Sequence, residues 1–224
     1  MNEQRTPPDP AETGGKLSRE DINALPLFYY PGRVILIRTA KGVEAAVNRL
    51  YGEGVLGFDT ETRPCFVRGK SHPPSLVQLA GEKEVYLFQL RWQPLAPPLA
   101  DLLASAAVVK TGVAAHDDMN GLEKIYPFTS AGVVDLAEVA RLNHIRNLSL
   151  RSLAAFFLKI RISKTEQCSN WAARDLTPRQ VRYAATDAWA SRAIYLRMRE
   201  QGLVPGSGAA PANARTEAQQ HKPL

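Results

Sequence analysis

Cysteine is scarce in this 224-residue chain: Cys65 and Cys168 are its only two, far apart and neither in a Cys-x-x-Cys pair. That spacing supports neither a disulfide framework nor a zinc site, and single thiols in a reducing compartment account for it. Long apolar runs are also missing. No stretch approaches the ~20 residues that cross a bilayer, so no membrane partner is expected. The start, MNEQRTPPDPAETGG, lacks a basic stretch followed by an apolar one, so it does not read as a secretory signal, and a cytoplasmic location is the default expectation. An excess of acid is absent too, since the net charge is +6 and the pI about 9.4.

What remains is an ordinary globular composition, 45% hydrophobic and 22% charged, long enough for one well-buried core and short for two. The positive charge is concentrated. Arg141 to Arg182 holds nine Lys/Arg against two acids, Glu166 and Asp175. Such a segment would attract a polyanion through counterion release, or it is a solvated basic face with no partner. Residues 1–26 and 203–224 are polar and rich in Pro and Gly, and are expected to be flexible tails around one folded unit, 27–202.

Inside that unit, short β-rich runs alternate with helical patterns. Strands are expected at Arg33–Ile37, Val55–Thr62, Leu76–Ala80, Glu84–Leu90, Val108–Val113 and Gly132–Val134. Thr39 caps a helix with Val43, Ala46, Val47 and Leu50 on one side. Further helices are expected at Leu95–Ala104, Asp117–Tyr126, Asp135–Leu142, Leu148–Leu158 and Pro178–Glu200. Thr177, Pro178 and Gln180 give the last of these a capping box with proline at its first position. Three strands in near succession, followed by alternating helices and strands, imply an α/β fold with a mixed five- or six-stranded sheet flanked by helices.

Acids stand out within this pattern. Asp59 and Glu61 lie two apart at the end of a strand, so both point to one face, with Val55 and Gly57. Neighbouring carboxylates repel unless a cation sits between them or one is protonated, and simple solvent exposure at a strand end is the alternative. Asp118 falls on the same helical stripe as Leu122 and Ile125, facing the sheet. Helix capping is its competing explanation, one that Asp117 satisfies equally well. Tyr183 and Asp187 are one helical turn apart, in line with Ile194, on a face that is costly for an unpaired acid. Together the four carboxylates form an oxygen-only ligand set suited to Mg2+ or Mn2+, with no sulfur and no required histidine. His116 and His144 fit surface or helix-end positions.

The order Asp-x-Glu, Asp, Tyr-x-x-x-Asp resembles the DEDD-type 3′→5′ exonucleases of the tyrosine subclass. FDTET followed by SLVQLA, then KTGVAAHDD, then SKTEQCSNW with LTPRQVRYAATDAWASRAIYL, are similar to the three motif blocks of ribonuclease D relatives and of the Werner-syndrome helicase exonuclease domain. The resemblance spans nearly all of residues 30 to 200. It implies a ribonuclease-H-like fold, two divalent cations (Mg2+ or Mn2+) and release of nucleoside 5′-monophosphates from the 3′ end of DNA or RNA, with no small-molecule organic cofactor. By the same resemblance Asp59, Glu61, Asp118 and Asp187 are metal ligands and Tyr183 orients the attacking water; Arg182 stands where the histidine subclass has its histidine. Arg146, Lys164 and Arg182 are candidate backbone contacts, and exposed aromatic residues could stack on bases. Ala172 replaces an acid found in many relatives, and no helical nucleic-acid-binding module follows residue 200. A nucleic-acid-binding module without activity and a phosphatase of small phosphate esters are the competing functions.

Overall fold

The computed structural model describes residues 16–65, 72–92 and 94–204. Its centre is a six-stranded sheet formed by β1 (Arg33–Ile37), β2 (Val55–Thr62), β3 (Pro74–Ala80), β4 (Glu84–Gln89), β5 (Val109–Gly112) and β6 (Val133–Asp135), in the order β1-β4-β3-β2-β5-β6. β3 runs antiparallel to both neighbours, and the other pairings are parallel, as the β2-β3-β4 succession implied. Helices cover both faces. α2 (Ala40–Leu50), α3 (Pro97–Ala104) and α4 (Ala115–Glu123) pack on the face carrying Leu56, Phe58, Val77 and Leu79. α5 (Leu136–Leu142), α6 (Leu150–Leu158) and α7 (Pro178–Glu200) cover the opposite face, where Val55, Leu76, Ala80, Val85 and Leu87 are buried. None of the helices among the described residues is long and apolar enough to cross a membrane.

Local chemistry sets the helix ends. In α7, Thr177 accepts from the Gln180 amide at 3.2 Å while the Gln180 side chain accepts from the Thr177 amide at 2.9 Å, closing the expected capping box. α6 starts two residues later than the apolar pattern suggests because Ser149 and Ser152 form a second box there. α3 begins at Pro97, two residues after the expected start, with proline at its first turn. α4 begins two residues early, at Ala115, after Ala114 adopts φ 58° without any side-chain cap.

The N-terminal stretch departs from expectation. Residues 16–26, placed by composition in a flexible tail, include α1 (Arg19–Ala24), capped by a Ser18–Asp21 box. The segment docks through the Leu17 amide to Asn147 Oδ1 at 3.1 Å and through Arg151 to Asn23 Oδ1 at 2.5 Å. Polar contacts hold it where apolar burial could not, since α1 buries no residue. At the other end Leu203 and the buried Val204 stay packed beside α5–α7, two residues beyond the expected boundary. The remaining tail positions, 1–15 and 205–224, lie outside the described residues.

Two backbone features bring α7 onto the sheet. Ala184, Ala185, Ala188 and Ala190 are buried and short, and β2 carries Gly57 beneath them. A Cβ at Gly57 would stand 1.9 Å from the Ala188 carbonyl oxygen and 2.8 Å from the Arg192 nitrogen. Helix backbone therefore rests directly on strand backbone. Arg192 secures the contact by donating from Nε to the Val55 carbonyl at 3.0 Å.

Lys110 on β5 is fully buried, donating from Nζ to the Ser105 and Val108 carbonyls at 2.6 and 2.8 Å. Burial lowers its pKa to about 8. The unfolded chain then holds this proton more tightly than the folded one. The penalty is full below pH 8 and is relieved as pH rises toward the unfolded value near 10.4. Urea unfolding of wild type and Lys110→Met is expected to show a stability difference that shifts toward wild type by roughly 2 kcal/mol between pH 8 and 10. A pH-independent difference would show that burial leaves the Lys110 pKa at its unfolded value rather than lowering it.

Candidate functional site

Three acids converge at one end of the α7–β2 contact. Asp59 and Glu61 project from β2 on the α7 face, as their spacing requires, and Asp187 projects from the turn of α7 above them. Their carboxylate oxygens lie within 4.8 Å of one another. The β2–β3 register shifts between Glu61 and Thr62, so the ladder is interrupted beside these acids.

Asp118 enters from the other side of the sheet. Its helix, α4, packs on the face opposite α7, and its Oδ1 accepts from Thr60 Oγ1 at 2.6 Å. Thr60 lies between Asp59 and Glu61, so the contact ties Asp118 to the end of β2 that carries them, although Asp118 is not among the three acids whose oxygens fall within 4.8 Å. Capping does not explain Asp118, because α4 has no side-chain cap and this carboxylate is engaged by Thr60 instead. The nearby Asp135, by contrast, is the N-cap of α5, accepting from the Ala137 and Glu138 amides.

The electrostatics of the cluster follow from burial and like charge. Burial first, then the charges of Asp118, Asp187 and Glu61, hold the Asp59 carboxyl well above its ordinary range. Burial, then Asp187 and Asp118, raise Glu61 to about 9. Asp187 is pushed up to about 7 by burial, against the hydrogen bond from Tyr183. Asp118 rises to about 6 through burial, opposed by the Thr60 hydrogen bond. Burial and the carboxylates of Asp187 and Glu61 keep the Tyr183 phenol protonated. A set of buried and half-buried oxygen donors whose negative charges oppose one another fits a small hard cation, which removes the repulsion and satisfies the oxygens together.

Asp59, Glu61 and Asp187, but not Asp118, open into a cleft of about 290 Å³, lined also by Val113, Leu150, Ile162, Ser191, Arg151 and Lys164. Arg146 is outside this cleft, in an adjoining groove that Lys164 also lines. Arg182 is outside the cleft lining: one residue from Tyr183 is about 100° around a helix, and its guanidinium lies 5.4 Å over the Tyr29 ring. Tyr183 is the one aromatic residue in the lining among the described residues, beside the apolar Leu150, Ile162 and Val113. His116 is exposed, 3.8 Å from Glu138, and His144 follows the end of α5 at φ 59°.

Arg151 and Ser191 were missed. Ser191 is one turn beyond Asp187 on the same stripe of α7, so helical periodicity could have found it. Arg151 was counted within the basic segment, but its place in the cleft depends on where α6 starts.

The family description "3'-5' exonuclease" matches residues 34–202. The mouse (Mus musculus) exonuclease 3'-5' domain-containing protein 2 is 38% identical over 156 residues, 64% of this chain and 24% of that protein. The mouse bifunctional 3'-5' exonuclease/ATP-dependent helicase WRN is 31% identical over 188 residues, 80% of this chain and 13% of the relative. Ribonuclease D of Gluconacetobacter diazotrophicus is 32% identical over 169 residues, 72% and 41% respectively. The chain spans well under half the length of each of these relatives. Among solved structures, the Aedes aegypti Nibbler EXO domain superposes with a TM-score of 0.70 at 25% identity, covering 78% of this chain and 92% of that domain. Escherichia coli RNase D, at 20% identity and a TM-score of 0.65, covers 80% of this chain and 48% of the other, a likeness of fold. The six-stranded sheet with helices on both faces is accordingly ribonuclease-H-like, as the motif blocks implied.

Proposed function

Because the chain belongs to the 3′-5′ exonuclease family, we propose that it hydrolyses phosphodiester bonds of DNA or RNA from the 3′ end and releases nucleoside 5′-monophosphates, as a member of the tyrosine subclass. The observation that carries this reading is the convergence of Asp59, Glu61 and Asp187 to within 4.8 Å in a cleft that Lys164 and Arg151 also line.

Asp59, Glu61, Asp118 and Asp187 would hold two divalent cations, Mg2+ or Mn2+. Cations bound there supply a nucleophilic water near neutral pH and offset the charge that develops on the departing 3′ oxygen. The chain's own residues do the rest. Tyr183, kept protonated and donating to Asp187, presents its phenolic oxygen to the cleft, where it can accept from the water and orient it for in-line attack. Lys164 and Arg151 neutralise the phosphate entering beside the acids. Leu150, Ile162 and Val113 give the terminal nucleoside an apolar wall. That wall is sequence-tolerant, since any base can pack on it.

Incubation of 5′-labelled oligonucleotides with Mg2+ or Mn2+ should give a ladder that shortens from the 3′ end, abolished by EDTA. Tyr183→Phe is expected to lower kcat by about 10²-fold while leaving the concentration of Mn2+ required for half-activity within a few-fold of wild type. A Tyr183→Phe enzyme as fast as wild type would remove the tyrosine from the mechanism. An intact substrate after prolonged digestion by wild type would favour a binding module that has kept the fold without the activity.

A further inference from the structure

We propose that the N-terminal segment Lys16–Ala24 completes a phosphate-binding groove that carries the single-stranded nucleic acid leading away from the catalytic cleft. This rests on the exonuclease reading and extends it from the terminal phosphodiester to the strand behind it.

Next to the catalytic cleft lies a second cavity, about 380 Å³, walled on one side by α1 and on the other by the start of α6. Five cationic side chains line it: Lys16, Arg19, Arg146, Arg151 and Lys164. No acid does, and among the described residues none of the five takes part in an ion pair. Of the two acids in α1's first turn, Glu20 and Asp21, neither lines the groove, and Asp21 accepts from the Ser18 amide at 3.0 Å in the capping box. Ser149, Arg151 and Lys164 line both cavities, so the groove is continuous with the cleft.

Five unpaired cations in one groove repel one another, and a polyanion relieves that repulsion with release of its counterions. The segment is built for position. α1 buries no residue, so it adds nothing to the core. It is nevertheless fixed at both ends: the Leu17 amide donates to Asn147, Arg151 donates to Asn23, and just beyond it the Phe28 amide donates to the Arg161 carbonyl and the Arg161 amide to the Pro26 carbonyl, each at 2.9 Å. The Asn23 contact also leaves Arg151 held between the two cavities. A helix that adds nothing to the core yet is tied down at both ends, with Lys16 and Arg19 facing the groove, accounts for both facts if those side chains meet phosphates.

The test is Lys16→Ala/Arg19→Ala in the full chain, beside the charge-conserving Lys16→Arg/Arg19→Lys. Binding of a fluorescein-labelled single strand of about 15 nucleotides, read by anisotropy in EDTA, is independent of catalysis. The alanine pair should weaken it roughly tenfold and flatten the log Kd against log salt slope by about 1.4, whereas the charge-conserving pair should retain both. In Mn2+, the ratio of kcat/KM on that strand to kcat/KM on the p-nitrophenyl ester of thymidine 5′-monophosphate, which has no second phosphate to reach the groove, should fall by a similar factor. Unaltered affinity and salt slope in the alanine pair would overturn the groove. Tight, salt-sensitive binding by wild type without any digestion would instead overturn the exonuclease reading and leave the groove standing.

Discussion

Asp59→Asn is expected to cut exonuclease activity by at least about 10³-fold, equivalent to about 4 kcal/mol of lost transition-state stabilisation, while leaving the metal-free protein at least as stable as wild type. The combination separates a lost ligand from a broken fold. In the metal-free protein burial and the charges of Asp118, Asp187 and Glu61 hold Asp59 well above its ordinary range, which favours the neutral form that asparagine mimics in shape and charge. The difference should appear on either side of that condition. Carboxyls with raised folded pKa values bind protons more tightly when folded, so metal-free wild type loses stability as pH rises from about 4, the unfolded value, through about 7 and 9, the values of Asp187 and Glu61. Asp59→Asn removes one charge from the set and should flatten that decline. Saturating Mn2+ or Mg2+ should raise the wild-type Tm by about 5–10 °C, from the roughly 2.7 kcal/mol available at a hundredfold excess over Kd, and should move the variant by much less. Differential scanning fluorimetry with and without metal at pH 6 and 9, run beside the oligonucleotide assay, reads all of these. An inactive variant that unfolds early and without metal sensitivity at both pH values would show that Asp59 is needed for the fold, not for a cation.

Local chemistry made part of this arrangement readable from sequence. The Thr177-Pro178-Gln180 signature placed the start of α7 correctly because capping depends on neighbouring residues alone. Period two put Asp59 and Glu61 on one face, and period 3.6 put Tyr183 and Asp187 on one stripe. What could not be read depends on partners distant in sequence. Thr60, pointing away from Asp59, meets a carboxylate from α4, 58 residues on, and no local rule links them. The place of β1 at the sheet edge is set by parallel pairing with β4 about 50 residues away. α1 escaped for the opposite reason: it buries nothing, so it has no apolar period, and its Ser18–Asp21 box precedes a polar run that composition assigns to a tail.

The largest structural effect should come from a residue with no chemistry. Gly57→Ala adds one methyl group, and the space for it is already filled by the Ala188 carbonyl oxygen at 1.9 Å and the Arg192 nitrogen at 2.8 Å, both backbone atoms of α7. A side chain can rotate away from an intruding methyl; helix backbone cannot. Accommodation therefore requires α7 to lift from β2 or β2 to bend, at a cost of at least about 1–3 kcal/mol as for other overpacked sites. Lifting also breaks the geometry of the site, because Asp187 is the residue before Ala188 and Tyr183 is one turn earlier on the same stripe. Displacements of an ångström at catalytic groups can cost about 10²-fold in rate. Gly57→Ala is expected to lower Tm by several degrees, and to lose about 10²-fold or more in activity even at temperatures where it remains fully folded. Ala184→Gly, which removes a methyl group from the same helix without crowding the strand, should cost only about 1 kcal/mol and retain most of the activity. If Gly57→Ala were as stable and active as wild type, α7 would not rest on β2 as closely as described, and Asp187 could not be held beside Asp59 by that contact.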